Sequence, residues 1–503
     1  MPCRRRERAA RPALGAYALP VLLLALCACA TVAPTQPSPA TRAAVDVPLA
    51  WSAADTAAQA SAGAQSLAQW WLRFDDPLLA QLVEQALQAN TNVASAQAAL
   101  RQARALRDVA AAGLAPVLGS SASAQHSTSG GLGSNATSSN SFRAGLDASW
   151  EPDIFGANRS ALNASEAAAR ASAATLGDVQ VSMAAEVALS YIALRNAQAR
   201  LAIADANLAS QLETLQITQW RLQAGLVTSL EAEQARGAAE QTRAQLAALQ
   251  TSVAQNRHAL AVLVGQPPAA LERELAAPGP VPQAAQGLAL SLPAETLRQR
   301  PDVRAAELQV SAAWSRVAGA DAARYPSFKL GGSIGLNAAT LGALTNAASV
   351  VSALLASVSF PIFDGGAANA QVRAQQAAWD QARVAYQATV LTALKDVEDA
   401  LVALRGDRER VLRLTNAADA AGNAALLARQ RFSSGLVDFQ TVLETQRTQL
   451  STQDGLASAG ADISADHVRL YKALGGGWQP DDSIAAAASV APRSATATRT
   501  PTP

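Results

Sequence analysis

The side chains that could do chemistry are few and badly placed for catalysis. Three histidines, His126, His258 and His467, lie far apart, and none has acidic or cysteine neighbours at ligand spacing. A metal centre needs three or four convergent ligands, and a histidine-activated nucleophile needs a serine or cysteine within reach of the ring. Neither pattern occurs, and no glycine-rich phosphate loop does. The expectation is a protein with no catalytic residues, no metal and no soluble cofactor. All three cysteines, Cys3, Cys27 and Cys29, fall within the first 29 residues, so no disulfide framework holds the rest of the chain. What remains is a small set of carboxylates beside two glycines: Glu231 follows Gly225, and Asp438 and Glu444 follow Gly435. They read either as solvated helix-surface charges or, if symmetry gathers them into a ring, as a group that attracts cations.

The amino-terminal segment has the layout of a signal peptide. Arg4, Arg5, Arg6 and Arg8 precede an apolar run from Ala13 to Leu26, which is too short for a comfortable membrane span. It ends in Leu26-Cys27-Ala28-Cys29, which resembles the cleavage box of bacterial lipoproteins, with Leu at −3, Ala at −1 and Cys29 as the residue to be acylated. Cys27 is the poorer candidate because bulky Leu26 would occupy −1. An ordinary signal peptide that happens to contain cysteines is the other reading. Ala30 follows, not the aspartate that holds many lipoproteins at the inner membrane, so the resemblance points outward. Residues 1–28 are therefore expected to be removed, and 29–66 to form a lipid anchor and linker.

The elements that position everything else are revealed by a repeat. Trp220-Arg221-Leu222-Gln223-Ala224-Gly225-Leu226-Val227 resembles Gln430-Arg431-Phe432-Ser433-Ser434-Gly435-Leu436-Val437 at a shift of 210 positions. The same shift relates Pro116 to Pro326, Gly156 to Gly366 and Gly265 to Gly475, which marks an internal duplication. Val187, Leu194, Leu201, Leu208, Leu215 and Leu222 fall at steps of seven, and Val397, Leu404, Val411, Ala418, Ala425 and Phe432 repeat them. A sustained heptad keeps one apolar seam against a partner helix. Each half thus reads as a long helix, a Gly-Leu-Val turn and a second long helix. The stretch 366–430 alone would span roughly 97 Å at 1.5 Å per residue. Alanine, the best helix former, is the commonest residue, and only 4% of the chain is aromatic.

Between the helices the apolar period becomes two. Phe142, Ala144, Leu146, Ala148 and Trp150 alternate with polar residues, as do Phe328, Leu330, Ile334 and Leu336, and then Leu354, Ala356, Val358 and Phe360. Residues 117–125 read as a weaker strand, and 127–140 and 338–349 as loops. The expected order is a first repeat over 67–265 with a hairpin near 116–152, and a Pro/Gly-rich connector over 266–293. A second repeat follows over 294–478 with a hairpin near 326–362, then a disordered tail over 479–503. Four strands cannot close a membrane barrel, which needs at least eight. Open edges in lipid leave backbone groups unpaired at several kcal/mol each. The strands are therefore either soluble and covered, or completed by other copies of the chain; three copies would supply twelve strands and gather the helices into a hollow cylinder. The net charge of +1, from 40 basic and 39 acidic residues, excludes a nucleic-acid footprint.

Several motifs then resemble one family: Trp70-Trp71-Leu72-Arg73-Phe74-Asp75-Asp76-Pro77, Arg300-Pro301-Asp302-Val303-Arg304, Phe360-Pro361-Ile362-Phe363-Asp364-Gly365-Gly366 and Leu470-Tyr471-Lys472-Ala473-Leu474-Gly475-Gly476-Gly477-Trp478. With the duplication, they look like the outer-membrane efflux lipoproteins of the NodT group, the TolC- and OprM-like outer membrane factors. The resemblance implies a mainly α fold with a small β part, in which a duplicated helical tunnel joins a twelve-stranded barrel closed by a homotrimer. It implies an outer-membrane location and passive export of small molecules. The partners it implies are a periplasmic adaptor and an inner-membrane pump of the resistance-nodulation-division class. A duct for protein secretion shares the architecture, and a lipid-anchored coiled-coil scaffold is a more distant alternative.

The resemblance also assigns roles at the turns. By motif position Glu231 and Glu444 match acidic residues that narrow the periplasmic aperture of TolC-like channels, and Asp438 joins them by proximity. Val437 falls where TolC has a gating arginine, so no salt-bridge latch carries over. Gly225, Leu226, Val227, Gly435, Leu436 and Val437 read either as turn packing or as the surface an adaptor grips. Trp70, Trp71 and Phe74 read as packing anchors, and Pro301 as the first residue of a helix.

Overall fold

A computed structural model describes residues 47–53, 67–129, 137–284 and 293–478. The expected acylation site Cys29, the expected signal peptide 1–28, most of the expected linker 29–66 and the expected tail 479–503 lie outside these residues. The chain divides into two compact units.

The repeat is exact in the helices. Helix α2 (Thr91–Ala112), α3 (Ala157–Gln223) and α4 (Ser229–Leu263) recur 210 positions on as α6 (Pro301–Ala322), α7 (Ala367–Ser433) and α8 (Phe439–Ala473). Two shorter helices, α1 (Pro77–Ala89) and α5 (Pro293–Gln299), precede α2 and α6. Helices α3 and α7 each run 67 residues, about 100 Å of axis at 1.5 Å per residue. Among the described residues no helix is long and apolar enough to cross a membrane.

The helical unit comprises the described parts of 43–103, 168–309 and 383–503. Its core collects the 3-10 turn Trp70–Phe74, Leu79, Leu82 and Val83 of α1, Val187, Tyr191 and Leu194 of α3, and Leu260 of α4. Trp70 stacks on Tyr471 of α8 at 5.4 Å between ring centroids. These are the packing anchors that the sequence suggests. The 266–293 connector is more than a tether, because its Leu271 and Leu275 are buried in the same core. The heptad positions Val187, Leu194, Val397, Leu404, Ala418 and Ala425 are buried, as a packed seam requires.

Equivalent junctions close the two halves. Asn90 Nδ2 donates to the Leu263 carbonyl at 2.7 Å, and Arg300 Nη1 donates to the Ala473 carbonyl at 2.9 Å. Both donors precede a helix and both acceptors end one, so each ties off a helix terminus that would otherwise carry a free carbonyl. Gly265 and Gly475 follow at φ +74° and +77°. A Cβ on Gly265 would sit 2.5 Å from the Ala89 oxygen, so both conformation and space demand glycine. Arg195 holds the connector through the Ala277 carbonyl at 2.7 Å, while its equivalent Arg405 bonds the Ala53 carbonyl. Each half thereby straps down the segment leading into the other. Pro301 opens α6 at its first position.

The second unit holds the strands, within residues 104–167 and 310–382. Strands β1 (Val117–Ser129), β2 (Thr137–Trp150), β3 (Ser327–Ala338) and β4 (Val350–Ser359) form one antiparallel sheet in sequence order. The first hairpin is longer than its apolar pattern suggests. Ladder pairs run on from Gln125↔Ser141 to Ser129↔Thr137, through residues that read as loop. Backbone pairing needs no apolar side chain, so polar strand ends leave no periodic trace. The other loop is also structured, as two 3-10 turns, Leu341–Thr345 and Ala347–Ser349.

The register sorts the side chains by face. Phe142, Leu146 and Trp150 lie opposite Ala338, Ile334 and Leu330. Leu330, Gly332 and Phe328 in turn oppose Ala356, Leu354 and Val358. These residues share one face, because alternate residues of a strand point the same way. Arg143, Asp147, Lys329, Ser333 and Asn337 occupy the other. The apolar face is bare within one chain: Leu354 is 90% exposed and Val358 63%.

Candidate functional site at the helical turns

Helices α3 and α4 are joined by residues 224–228, and α7 and α8 by residues 434–438. Both turns use the same backbone bonds. Gly225 N–H donates to Leu222 O at 3.0 Å and Leu226 N–H to Arg221 O at 2.8 Å; Gly435 and Leu436 repeat both bonds to Phe432 and Arg431 at the same distances. This is the Schellman closure, and its left-handed residue falls on Gly225 (φ +69°) and Gly435 (φ +74°).

The return helices are capped by the same pair of groups in exchanged order. Thr228 caps α4, and Glu231 three residues on reaches back to the Thr228 N–H at 2.9 Å, completing a capping box. At the equivalent positions Asp438 is the cap and Thr441 the third residue, whose N–H donates to Asp438 Oδ1 at 2.9 Å. The Thr228 hydroxyl beside Glu231 and the Thr441 hydroxyl beside Asp438 hold both carboxyls below their usual range. Two of the three carboxylates expected at an aperture are therefore fixed, ionised helix caps. Glu444 is exposed on α8 with no hydrogen bond or ion pair to its side chain among the described residues. No such bond links the three acids to one another.

A clasp invisible to local sequence reasoning binds the two turns. Arg221 Nη2 donates to the carbonyls of Phe432 at 2.6 Å and Ser433 at 3.0 Å, the last residues of α7. The Phe432 ring meets Phe439 edge-on at 5.9 Å, within a small core that includes Ala235, Val442 and Leu443. Farther along, Arg429 Nη1 bonds Ser210 Oγ at 2.8 Å and Gln446 Nε2 bonds Thr214 Oγ1 at 2.9 Å. The only sequence signal for the clasp is a basic residue four before each glycine.

The turn residues divide by exposure. Leu226 is 73% exposed and Leu436 75%, whereas Val437 packs against the small core and Val227 is half-buried. Leucine is thus presented outward and valine turned in, in both repeats.

A second charged group lies in a recess beside Arg300, lined by Asp178, Asp302, Asp396, Asp399, Asp466, Arg469 and Lys472. Burial alone would lower Arg300, but Asp302 at 2.7 Å and Asp396 at 3.2 Å hold it above its ordinary value. Burial, then repulsion from Asp302, pushes Asp178 up. Asp466 is raised to about 6, first by burial and then by Asp407, against the pull of Arg469. Among the described residues no three His, Cys, Asp or Glu side chains could together hold a metal. The recess is an ion network that ties α6, α7 and α8 through Arg300.

The sequence matches the family described as outer membrane efflux protein over residues 82–266 and again over 292–476, two segments 210 positions apart. It is 30% identical to outer membrane protein OprJ of Pseudomonas aeruginosa, covering 94% of this chain and 98% of that one. It is 33% identical to the pyoverdine export outer membrane protein OpmQ of Pseudomonas putida, over 92% and 97%. The fold superposes on the solved outer-membrane channel OprN with a TM-score of 0.80 at 36% identity, covering 87% of this chain and 99% of that one.

Proposed function

The chain belongs to the outer membrane efflux protein family, and we propose that it is the exit duct of a tripartite efflux system, passing small molecules outward across the outer membrane. The observation that carries this reading is the four-stranded sheet, apolar on one face and unpaired at both edges. In lipid such a sheet is tolerable only once closed, because each unpaired backbone group costs several kcal/mol there. Three copies supply twelve strands, an even number within the range of bacterial barrels. OpmQ is named for export of pyoverdine, a small molecule, which favours efflux over protein secretion.

On this reading the two turns are the periplasmic entrance. Leu226 and Leu436 are the surface for a periplasmic adaptor, which couples the duct to an inner-membrane pump of the resistance-nodulation-division class. Glu231, Asp438 and Glu444 set the charge of the aperture, and an acyl group on Cys29 adds a lipid anchor. One lipid chain holds a protein only marginally, so the barrel is the main attachment. The chain performs no chemistry.

The test is complementation. In a strain lacking its own efflux ducts, this protein with a compatible adaptor and pump should restore extrusion of a fluorescent pump substrate. Dye retention despite outer-membrane trimers and a working pump would overturn the reading.

A further inference from the structure

We propose that neighbouring copies join through β4 of one and β1 of the next in a single register, with Ala356 opposite Ala124 of the partner subunit. The inference rests on the trimeric reading above and adds the register, which follows from the repeat.

The two hairpins are equivalent residue by residue. Val117 pairs with Ser149 in the first and Ser327 with Ser359 in the second. Likewise Leu118 pairs with Ala148, and Phe328 with Val358. Each residue has moved by the 210 positions that relate the helices, so strand β1 corresponds to β3 and β2 to β4. The chain contains one seam between hairpins, β2 on β3, which joins the second strand of one hairpin to the first strand of the next. The free edges are the second strand of the last hairpin, β4, and the first strand of the first, β1. They are the two partners of that same kind of seam, separated because they lie at opposite edges of one sheet.

Carrying the inner seam outward by one repeat fixes the pairs. Leu146↔Ile334 becomes Ala356 opposite Ala124 of the partner subunit, and Ala148↔Gly332 becomes Val358 opposite Ala122 of the partner subunit. On the other face Asp147↔Ser333 becomes Ser357 opposite Ser123 of the partner subunit. At these three pairs the chemistry agrees with the faces, since small apolar residues meet on the bare side and serine meets serine on the polar side; the same register sets Leu354 opposite His126 of the partner subunit. A serine pair of this kind already bonds across the first hairpin, Ser127 Oγ to Ser139 Oγ at 2.8 Å. A slip of one residue would turn every β4 side chain to the wrong face. The inner seam also has Gly145 opposite Gly335, where an added Cβ would meet backbone at 2.7 Å. The outer seam has Leu355 and Gln125 there, so it lacks that close approach.

Cysteine cross-linking reads the register directly. Within one chain residues 124 and 356 sit on opposite edge strands, three strand spacings or about 14 Å apart, beyond the ~7 Å limit of a disulfide. The variant Ala124→Cys/Ala356→Cys should therefore bridge only between copies. It should give mostly covalent trimer on a non-reducing denaturing gel, while each single variant does not. Pairing Ala356→Cys with Ala122→Cys or with His126→Cys should cut the covalent yield at least fivefold. Stronger bridging in either shifted pair would overturn the register. So would absence of bridging in a chain that native mass spectrometry shows to be trimeric, and that outcome leaves the trimer intact. A monomer in native mass spectrometry would overturn both. A photo-reactive residue at position 356 of the otherwise native chain gives the same answer without cysteines: adducts should map to residues 122–126 of the neighbouring copy, and adducts centred elsewhere would refute the register.

Discussion

Arg221 lays its guanidinium 4.3 Å above the ring of Phe432 while donating to the carbonyl of that same residue. One side chain thereby satisfies the last carbonyls of α7, opposes the negative end of its dipole and stacks on the aromatic that plugs the small core. The two helical turns are coupled through this contact.

Removing the clasp should loosen the two helical turns and spare the rest. Arg221→Ala loses two charge-assisted hydrogen bonds and a stacking contact, about 1–3 kcal/mol locally. Hydrogen exchange should show weakened protection at the ends of α3 and α7, with trimer content unchanged. Single-channel conductance should rise. Unchanged exchange there would show that Arg221 holds nothing.

The carboxylates can be neutralised without disturbing the caps. Glutamine serves at the third position of a capping box as glutamate does, so Glu231→Gln keeps the α4 start. Three copies would place each acid in a threefold ring that attracts cations. The double variant Glu231→Gln/Glu444→Gln should reduce cation selectivity in reversal-potential measurements, with Asp438 keeping the remainder, while staying trimeric. An unchanged permeability ratio would remove both residues from the aperture.

The equivalent junctions should differ in strength. Arg300→Met strands the Ala473 carbonyl and leaves Asp302 and Asp396 without their buried cation, which costs about 3–5 kcal/mol. Asn90→Ala loses a neutral bond to Leu263 and should cost about 1–3 kcal/mol. Denaturant midpoints in detergent should rank the two in that order.

Asp466 gives the helical unit a pH signature. Its side chain is 1% exposed, and Oδ2 is buried without a hydrogen-bond partner. The pKa is raised to about 6 in the folded protein, so the native state keeps the proton longer than the unfolded chain does. Its contribution is therefore full below about pH 4 and is lost as pH rises through about 6. Asp466→Asn should abolish that loss and gain roughly 1–3 kcal/mol at pH 7 relative to pH 4. A denaturant midpoint with the same pH dependence as the native chain would exclude Asp466 as its source.

Much of this architecture is legible because glycine, proline and leucine recur at one spacing. Gly225 and Gly435 mark turns that only a left-handed residue can close, and steps of seven mark the helix seam. What stays hidden depends on residues far apart in the chain. Arg221 and Phe432 are 211 positions from each other, and beyond a basic residue four before each glycine nothing local announces the bond. Glu231 and Asp438 read as free charges because a cap is defined by where a helix begins, which periodicity places only to within a few residues. The polar ends of β1 and β2 are hidden for the opposite reason, since backbone pairing and side-chain bonds such as Ser127 to Ser139 need no apolar residue. Leu271 and Leu275 sit in a Pro/Gly-rich run that looks like a tether until the core is seen to need them.

Planar-bilayer recording tests most directly whether this chain forms a conduit through the outer membrane. Purified full-length protein, confirmed as a trimer, should insert and give discrete conductance steps whose cation selectivity falls in Glu231→Gln/Glu444→Gln. A trimer that inserts into bilayers and conducts nothing, with the Arg221 clasp intact or removed, would contradict the account.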